Sequence, residues 1–430
     1  MIEKIFTKID EIISEIYFNH IHKFLPKKIR IIISGNVILF RYLILHRLEC
    51  FHLSVIILIG KNKVDGSNLK ILLFYLKSKA SYQFFTEDFI IEELFEKVTE
   101  RQRIGNVFIW NINKIIKKYS SNVDAIFIKT DRFFRRWLQK KSFLVIPEVV
   151  DMDSDLSGPV ENVLKKFHGS AKEDVRRIKK YEYIYEVTND PKKIDFYYQK
   201  LFIPYTKLKH NRVIKPDTAY YNEIRSLFEC GNTMLFKDKD KYISGVHLRH
   251  NPYKKKNKVS MLCVGINIDY DYVSKRAGAC IYYFPILWAK KNNFSKIAWG
   301  ATPSLLDNGI YRYKRKWGPE IKKSSGITRI IGVKFTNGSK NIGLLNFFEN
   351  NPLIYMDNTE LRGFVYMNSP VNINDVEHIY KKYFTPGMTN LVIISPYNYQ
   401  ESFKELVSLK YKDKIVILDN IKRLIDTKKS

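Results

Sequence analysis

Cysteine is scarce and scattered. The four thiols, Cys50, Cys230, Cys263 and Cys280, lie far apart in a chain of 430 residues, with no CxxC pair and no Cys/His spacing that suits zinc. Neither a disulfide framework nor a metal site is indicated, and a reducing, cytoplasmic setting fits. Long uninterrupted apolar runs are also missing. The most apolar stretch, residues 37–60, is broken by Arg41, His46, Arg47, Glu49 and His52, charges that are costly inside a bilayer, so it reads as buried strand and helix and not as a transmembrane segment. The first eighteen residues mix acids into an apolar pattern and have no small-residue cleavage site, which excludes a signal peptide. Acidic residues are few. Asp and Glu number 44 against 73 Lys and Arg, leaving +29, a field that gathers nucleic acid, an anionic membrane surface or a phosphate-rich cofactor. A lysine-rich coding bias explains the same number, since the lysines are spread along the whole chain.

What remains is an ordinary globular composition, 45% apolar and 14% aromatic, in a chain long enough for two or three packed units. Isoleucines from Ile2 to Ile16 recur at helical spacing and predict an amphipathic opening helix. Apolar runs at 29–34, 54–60, 69–75 and 124–129 predict strands, alternating with helix-like pieces such as 86–99. A boundary is expected near 151–159, at acids, Gly158 and Pro159. From 160 to 335 the pattern predicts a basic helix over 161–181, strands at 183–188, 233–237, 244–250, 259–268, 296–300 and 328–335, and helices from Pro191, over 221–229, 278–292 and 304–317. Past Gly338 a third unit alternates as small βα pieces. None of its residues looks chemical, and it reads as a packing or docking module. No short-period repeat is present.

The chemistry concentrates in one stretch, MLCVGINIDYDYVSKRAGACIYYFPILWAKKNNFSKIAWG, a strand, a basic-glycine turn and a helix. The first amides of a helix have no partner within it and form a cradle for phosphate oxygens, to which Lys275 and Arg276 add charge-assisted donors. Gly278, Ala279 and Cys280 keep bulk away from it. Taken alone, this pattern also describes a plain helix start.

The stretch resembles the coenzyme A pyrophosphate segment of the GNAT acyltransferase superfamily, matching it at Arg276 and Gly278 without its full spacing. Downstream, IAWGATPSLLDNGIYRYKRKWGPEI resembles the closing segment of the FemAB-like branch at Gly300, Asp307, Gly309, Ile310, Tyr313, Lys314, Trp317 and Gly318, and FHGSAKEDVRRIKKYEY resembles its opening helix. The resemblance spans about 160–335. It implies an α/β (α+β) fold with a GNAT-type mixed sheet flanked by helices. Residues 1–150 would be a degenerate copy in a tandem arrangement, 151–337 the transferase unit and 338–430 a small C-terminal α/β unit. It further implies that two central strands splay apart around an acyl-CoA, with Val264, Gly265 and Ile266 on the strand that faces it; the alternative for those residues is a buried strand with an incidental glycine.

Transfer needs a base for the amine and an acid for the departing thiolate. Asp307 and Glu229 are candidate bases, Tyr311 and Tyr313 candidate acids, and His247, Tyr313 and Lys314 candidate acceptor contacts, each of which also has a structural explanation as cap, solvated end or core residue. The expected activity is N-acyl transfer from acetyl-CoA or another acyl-CoA to an amine on a sugar, a peptide or a cell-envelope precursor. The acceptor cleft is expected between the first two units. Aminoacyl-tRNA-dependent transfer, with tRNA as partner, is the second reading, and a non-catalytic binding module the third.

Overall fold

Runs of Ile, Val, Leu and Phe with few breaks form the strands, and most of these runs are long enough to be buried on both faces. The computed structural model describes residues 2–41, 50–76, 86–210, 219–250, 257–269, 271, 275–325, 328–336 and 342–420. The middle of the apolar stretch 37–60 and Gly338 lie outside the described residues. In chain order the strands are β1 (His52–Asn62), β2 (Asn68–Tyr75), β3 (Phe95–Phe108), β4 (Ala125–Asp131), β5 (Leu144–Pro147), β6 (Val149–Asp155), β7 (Ile184–Thr188), β8 (Asn232–Asp238) and β9 (Lys241–Arg249). They continue as β10 (Lys258–Ile266), β11 (Lys296–Pro303), β12 (Glu320–Lys323), β13 (Arg329–Phe335), β14 (Leu353–Asp357), β15 (Glu360–Tyr366), β16 (Leu391–Ile394) and β17 (Ile415–Leu418).

Three mixed or antiparallel-edged sheets result, flanked by helices. Their orders are β3-β1-β2-β4-β13-β5, β12-β6-β11-β10-β9-β8-β7 and β14-β15-β16-β17. The first two follow one plan. Each contains a parallel central pair, β2 with β4 and β10 with β11. After the second member of each pair comes a short helix, Arg135–Lys140 or Gly309–Arg315, then two strands, β5 and β6 or β12 and β13. The last strand of each series leaves its own sheet. β6 inserts between β11 and β12, antiparallel to both. β13 inserts between β4 and β5, also antiparallel to both. The halves are a tandem of one mixed-sheet plan joined by reciprocal strand exchange, and one apolar core runs from Leu72 and Val145 through Met152 and Trp317 to Leu391 in the third sheet.

Several elements differ from their sequence pattern. Residues 29–34 belong to the helix Lys27–Phe40, because a continuous apolar run has no period of two to mark it as a strand. The helix-like 86–99 is a helix only over Glu87–Leu94 and then turns into β3, whose charged residues lie on an exposed edge strand. The basic helix is two, Val160–Lys165 and Gly169–Lys180, parted at His168, whose side chain caps the second. Residues 304–317 shorten to a helix over Gly309–Arg315, capped by the Asn308 side chain.

Candidate active site

The two central strands of the second sheet pair in parallel over three positions only, Lys258 with Lys296, Val259 with Ile297 and Ser260 with Ala298. Beyond that point each strand bulges. β10 shifts register against β9 between Leu262 and Gly265, with Cys263 at φ 51°. β11 shifts against β6 between Ala298 and Ala301, with Gly300 at φ 74°. Such bulges bend a strand and end its pairing, so the sheet opens into a fork. In the first sheet β2 and β4 pair over four consecutive positions, from Ile71 with Ala125 to Phe74 with Ile128.

Lys314 closes the fork from behind. Its Nζ donates to the Ala301 carbonyl at 2.9 Å and to the Gly300 carbonyl at 3.3 Å. A methyl group built on Gly300 would stand 3.8 Å from the Met261 carbonyl of β10 and 3.9 Å from Lys314 Nζ, so both strands and the amine meet at one point. Burial pulls the Lys314 pKa down to about 8, against a smaller opposing pull from Asp151.

Gly265 is on the fork strand for a packing reason. A Cβ there would come within 2.8 Å of the Leu201 and Phe202 backbone, so the glycine lets the helical segment Tyr197–Phe202 lie against β10. Val264 is half-buried and Ile266 buried, its Cδ1 only 3.6 Å from where a Cβ on Gly278 would be.

The basic-glycine turn stands at the open side of the fork. Arg276, at φ 56°, caps the helix Ala277–Lys291. Tyr183 Oη donates to the Lys275 carbonyl at 3.0 Å and Ser244 Oγ to the Ala277 carbonyl at 3.0 Å, which fixes the turn to β7 and β9. Ala279 is buried, so Gly278 is the open position of that first turn, and a Cβ on it would face the Tyr313 hydroxyl at 3.8 Å. Burial raises the Tyr313 phenol well above its ordinary range, and nearby Asp174 adds to the rise. Asp174 was not legible as a site residue. It follows Glu173 in a basic helix, and its buried carboxylate sits between Arg276 Nε at 3.8 Å and Lys316 Nζ at 2.5 Å, with Lys316 also 3.8 Å above the Tyr313 ring. Behind the turn, Tyr282 stacks between Trp299 and Trp317, at ring distances of 5.1 and 5.7 Å.

Next to Tyr313 opens a cleft of about 430 Å³ lined by His168, Ser170, Asp307, Arg312, Arg315, Lys316, Lys381 and Lys382. Five of those eight are cations, and two come from the third unit, which the sequence reads as carrying no chemistry. Arg315 donates to the carbonyls of Lys381 at 2.6 Å and Phe384 at 3.0 Å. Asp307 accepts from Tyr383 Oη at 2.7 Å and Lys382 at 3.4 Å, so it is committed to the third unit.

Three sequence candidates stand away from the fork. His247 is fully buried beside Phe228, with Thr233 Oγ1 on Nδ1 and the Cys230 carbonyl on Nε2; burial lowers its pKa to about 4, and it is a neutral core residue. Tyr311 is fully buried and donates to Thr385 at 2.8 Å. Glu229 is paired with Arg30 at 3.2 Å and faces His22 at 3.7 Å. None of the three contacts the turn or the fork, because side-chain burial and long-range pairing are invisible in local sequence. In the first half, the helix that follows β2 begins with Glu87 and Asp88, carboxylates that repel an anion where the second half has Arg276, Ala277 and Gly278. Among the described residues no His, Cys, Asp and Glu group large enough for a metal ion is present.

No family model matches the chain, and no curated protein matches it. Among solved structures, FemX aligns with a TM-score of 0.34 and 12% identity over 64% of this chain and 83% of its own. L-PGS from Bacillus licheniformis aligns at 0.32 and 9%, over 67% and 87%. A tandem GNAT protein from the clavulanic acid biosynthesis pathway aligns at 0.28 and 7%, over 65% and 82%.

Proposed function

We propose that this chain is an N-acyltransferase that takes its acyl group from an acyl-CoA and passes it to an amine. The observation that carries the reading is the fork: central strands that part after three pairs, with a buried amine at the vertex and a basic-glycine helix start at the mouth. A thioester arm fits the opening because β10 and β11 no longer pair with each other beyond Ser260 and Ala298, while Arg276, the amides near Gly278 and the Tyr313 hydroxyl take the pyrophosphate. In the transfer, the acceptor nitrogen bonds to the acyl carbon, the carbon–sulfur bond breaks, and the thiolate leaves as the coenzyme. The nitrogen must shed a proton. Lys314, whose pKa burial pulls down to about 8, is the group at the vertex suited to exchange one. Residues 1–150 supply the other wall of the acceptor cleft, 151–337 the donor site, and 338–430 the far wall of the basic cleft.

A second reading has a specific observation behind it. Arg312, Arg315, Lys316, Lys381 and Lys382 continue the positive surface past the turn, farther than a pyrophosphate needs, and this favours a donor with more phosphates, an aminoacyl-tRNA. Calorimetric titration of acetyl-CoA, a longer acyl-CoA and bulk tRNA at low and moderate salt separates the two. Micromolar acyl-CoA binding that Arg276→Ala weakens at least tenfold supports the first. Salt-sensitive tRNA binding alone supports the second, and no binding of either rejects both.

A further inference from the structure

The first forty residues form a helical hairpin whose inner side is fastened and whose outer side is bare. Its first arm, Ile2–Ser14, runs on through Glu15–Phe24, and its second arm is Lys27–Phe40. Inside, Arg41 bonds Asp10 at 2.6 and 3.0 Å and also Glu223, Tyr17 Oη meets Ser34 Oγ at 3.0 Å, and Asn222 donates to Asn19 at 2.7 Å. These contacts hold the hairpin against the helix Ala219–Leu227. Outside, Ile9, Ile12 and Ile16 repeat along one arm and Ile29, Ile32 and Phe40 along the other, all more than a third exposed, and Phe24 at the tip is 79% exposed. With Ile21 these make eight of the nineteen large apolar side chains that stand exposed among the described residues, gathered in a tenth of the chain. Scattered apolar residues are normal on a protein surface, but such a concentration in one short hairpin marks an interaction surface.

The charge around the patch names its partner. The first arm carries Asp10, Glu11 and Glu15, but towards the tip the charge is of one sign: from Ile16 to Leu48 the sequence has no Asp or Glu, while Lys23, Lys27 and Lys28 are exposed beside Phe24 and Lys23 Nζ stands 5.2 Å from its ring. At about 1.5 Å per residue the second arm is roughly 21 Å long, too short for a hydrocarbon core of about 30 Å, and the longer first arm carries Glu3, Asp10, Glu11 and Glu15; no helix among the described residues is long and apolar enough to cross a membrane, so an apolar outer face with a basic tip suits lying in an interface. We propose that this hairpin docks the protein onto an anionic phospholipid surface, with Phe24 entering the headgroup layer and the three lysines meeting lipid phosphates. The inference stands apart from the proposed reaction and needs no substrate.

Cosedimentation with vesicles of phosphatidylcholine alone, or with one third phosphatidylglycerol, tests it. The full chain should partition to the anionic vesicles and be released by salt. A lysine near such a surface contributes about fivefold in partitioning, so Lys27→Ala with Lys28→Ala should weaken binding roughly 25-fold. Phe24→Asp should abolish binding while leaving the melting temperature unchanged, since its side chain is exposed. Equal binding to neutral vesicles, or none to either, overturns the proposal. So does a concentration-dependent dimer that Phe24→Asp disrupts, which would assign the face to a second copy of the chain.

Discussion

A lysine closed into the vertex of a strand fork carries a charge that its surroundings resist. Lys314 has two carbonyl acceptors but little water, and its pKa falls from the ordinary lysine value to about 8. Because the folded chain binds that proton more weakly than the unfolded one, the charge opposes folding below about pH 8, and the penalty fades as pH rises from 8 towards the unfolded value near 10.4. A shift of this size corresponds to roughly 3 kcal/mol at most. Lys314→Met removes the titration, so the stability of the wild type relative to this variant should climb by about 1–3 kcal/mol between pH 7.5 and 10.5 in urea melts, and a flat difference would show that the amine keeps an ordinary pKa. Gly278 offers a cleaner separation of binding from folding. A methyl group there meets only van der Waals neighbours, at 3.6 and 3.8 Å, and its backbone is not in the left-handed region. Gly278→Ala should leave the melting temperature equal or slightly raised, since alanine favours a helix, yet crowd the cradle and weaken acyl-CoA binding about tenfold by calorimetry. Arg276 and Gly278 stand out in the sequence because their residue types sit at the joint between a strand and a helix, whereas Lys314, inside the helix Gly309–Arg315, stands out only through the resemblance of its segment. Asp174 does not, since an acid beside Glu173 in a basic helix looks like an ordinary solvated charge until the fold brings Arg276 and Lys316 to it. His247 and Tyr311 were misplaced for the converse reason: their chemistry is suggestive, but their burial is set by elements far away in sequence.

At the scale of elements, the fork depends on a bulge and on what packs against it. β10 turns outward at Cys263 and Val264, and the helical segment Tyr197–Phe202 presses on the strand just beyond, where Gly265 leaves room. Gly265→Ala puts a methyl 2.8 Å from backbone atoms of Leu201 and Phe202, which cannot move as a side-chain tip would. It should cost about 1–3 kcal/mol of stability, the usual range for overpacking, and weaken acyl-CoA binding with it, whereas Gly278→Ala should weaken binding alone. Equal melting temperatures for the two variants would remove the packing account of Gly265. Most strand and helix positions in the second half were readable from alternation, apolar runs and turn residues. The bulges were readable only as glycines, because a bulge is a relation between two strands. The apolar run at 29–34 looked strand-like for want of any period, and only its docking, through Ser34 to Tyr17, makes it one arm of a helical hairpin.

At the scale of the whole molecule, the two halves cannot be parted where the chain appears to part. The acids, glycine and proline at 151–159 suggest a linker, yet β6 ends at Asp155 and is the strand between β11 and β12, while β13, from the far end of the second half, fills the same place between β4 and β5. Strand pairing across the halves is therefore central to both sheets, unlike an ordinary domain contact, which covers a surface. A chain divided after Leu156 gives one fragment with a vacant place between β4 and β5 and another with a vacant place between β11 and β12. Each exposes the two strand edges at its gap and carries an exchanged strand, β6 or β13, that has lost both partners, a ready template for aggregation. Residues 1–156 and 157–430 should each be insoluble or unfolded when produced alone, and should form a soluble 1:1 complex when produced together. In the intact chain the shared strands should make the halves melt in a single transition, with the van't Hoff and calorimetric enthalpies equal. A soluble 157–430 fragment that melts near the temperature of the whole chain would mean that β6 is dispensable to the second sheet. The fork would then owe its shape to β9 and β10 alone. If instead the fragment folds only with its partner, the proposed donor site is a property of both halves, and the first half is retained because it supplies the strand on which β11 is built.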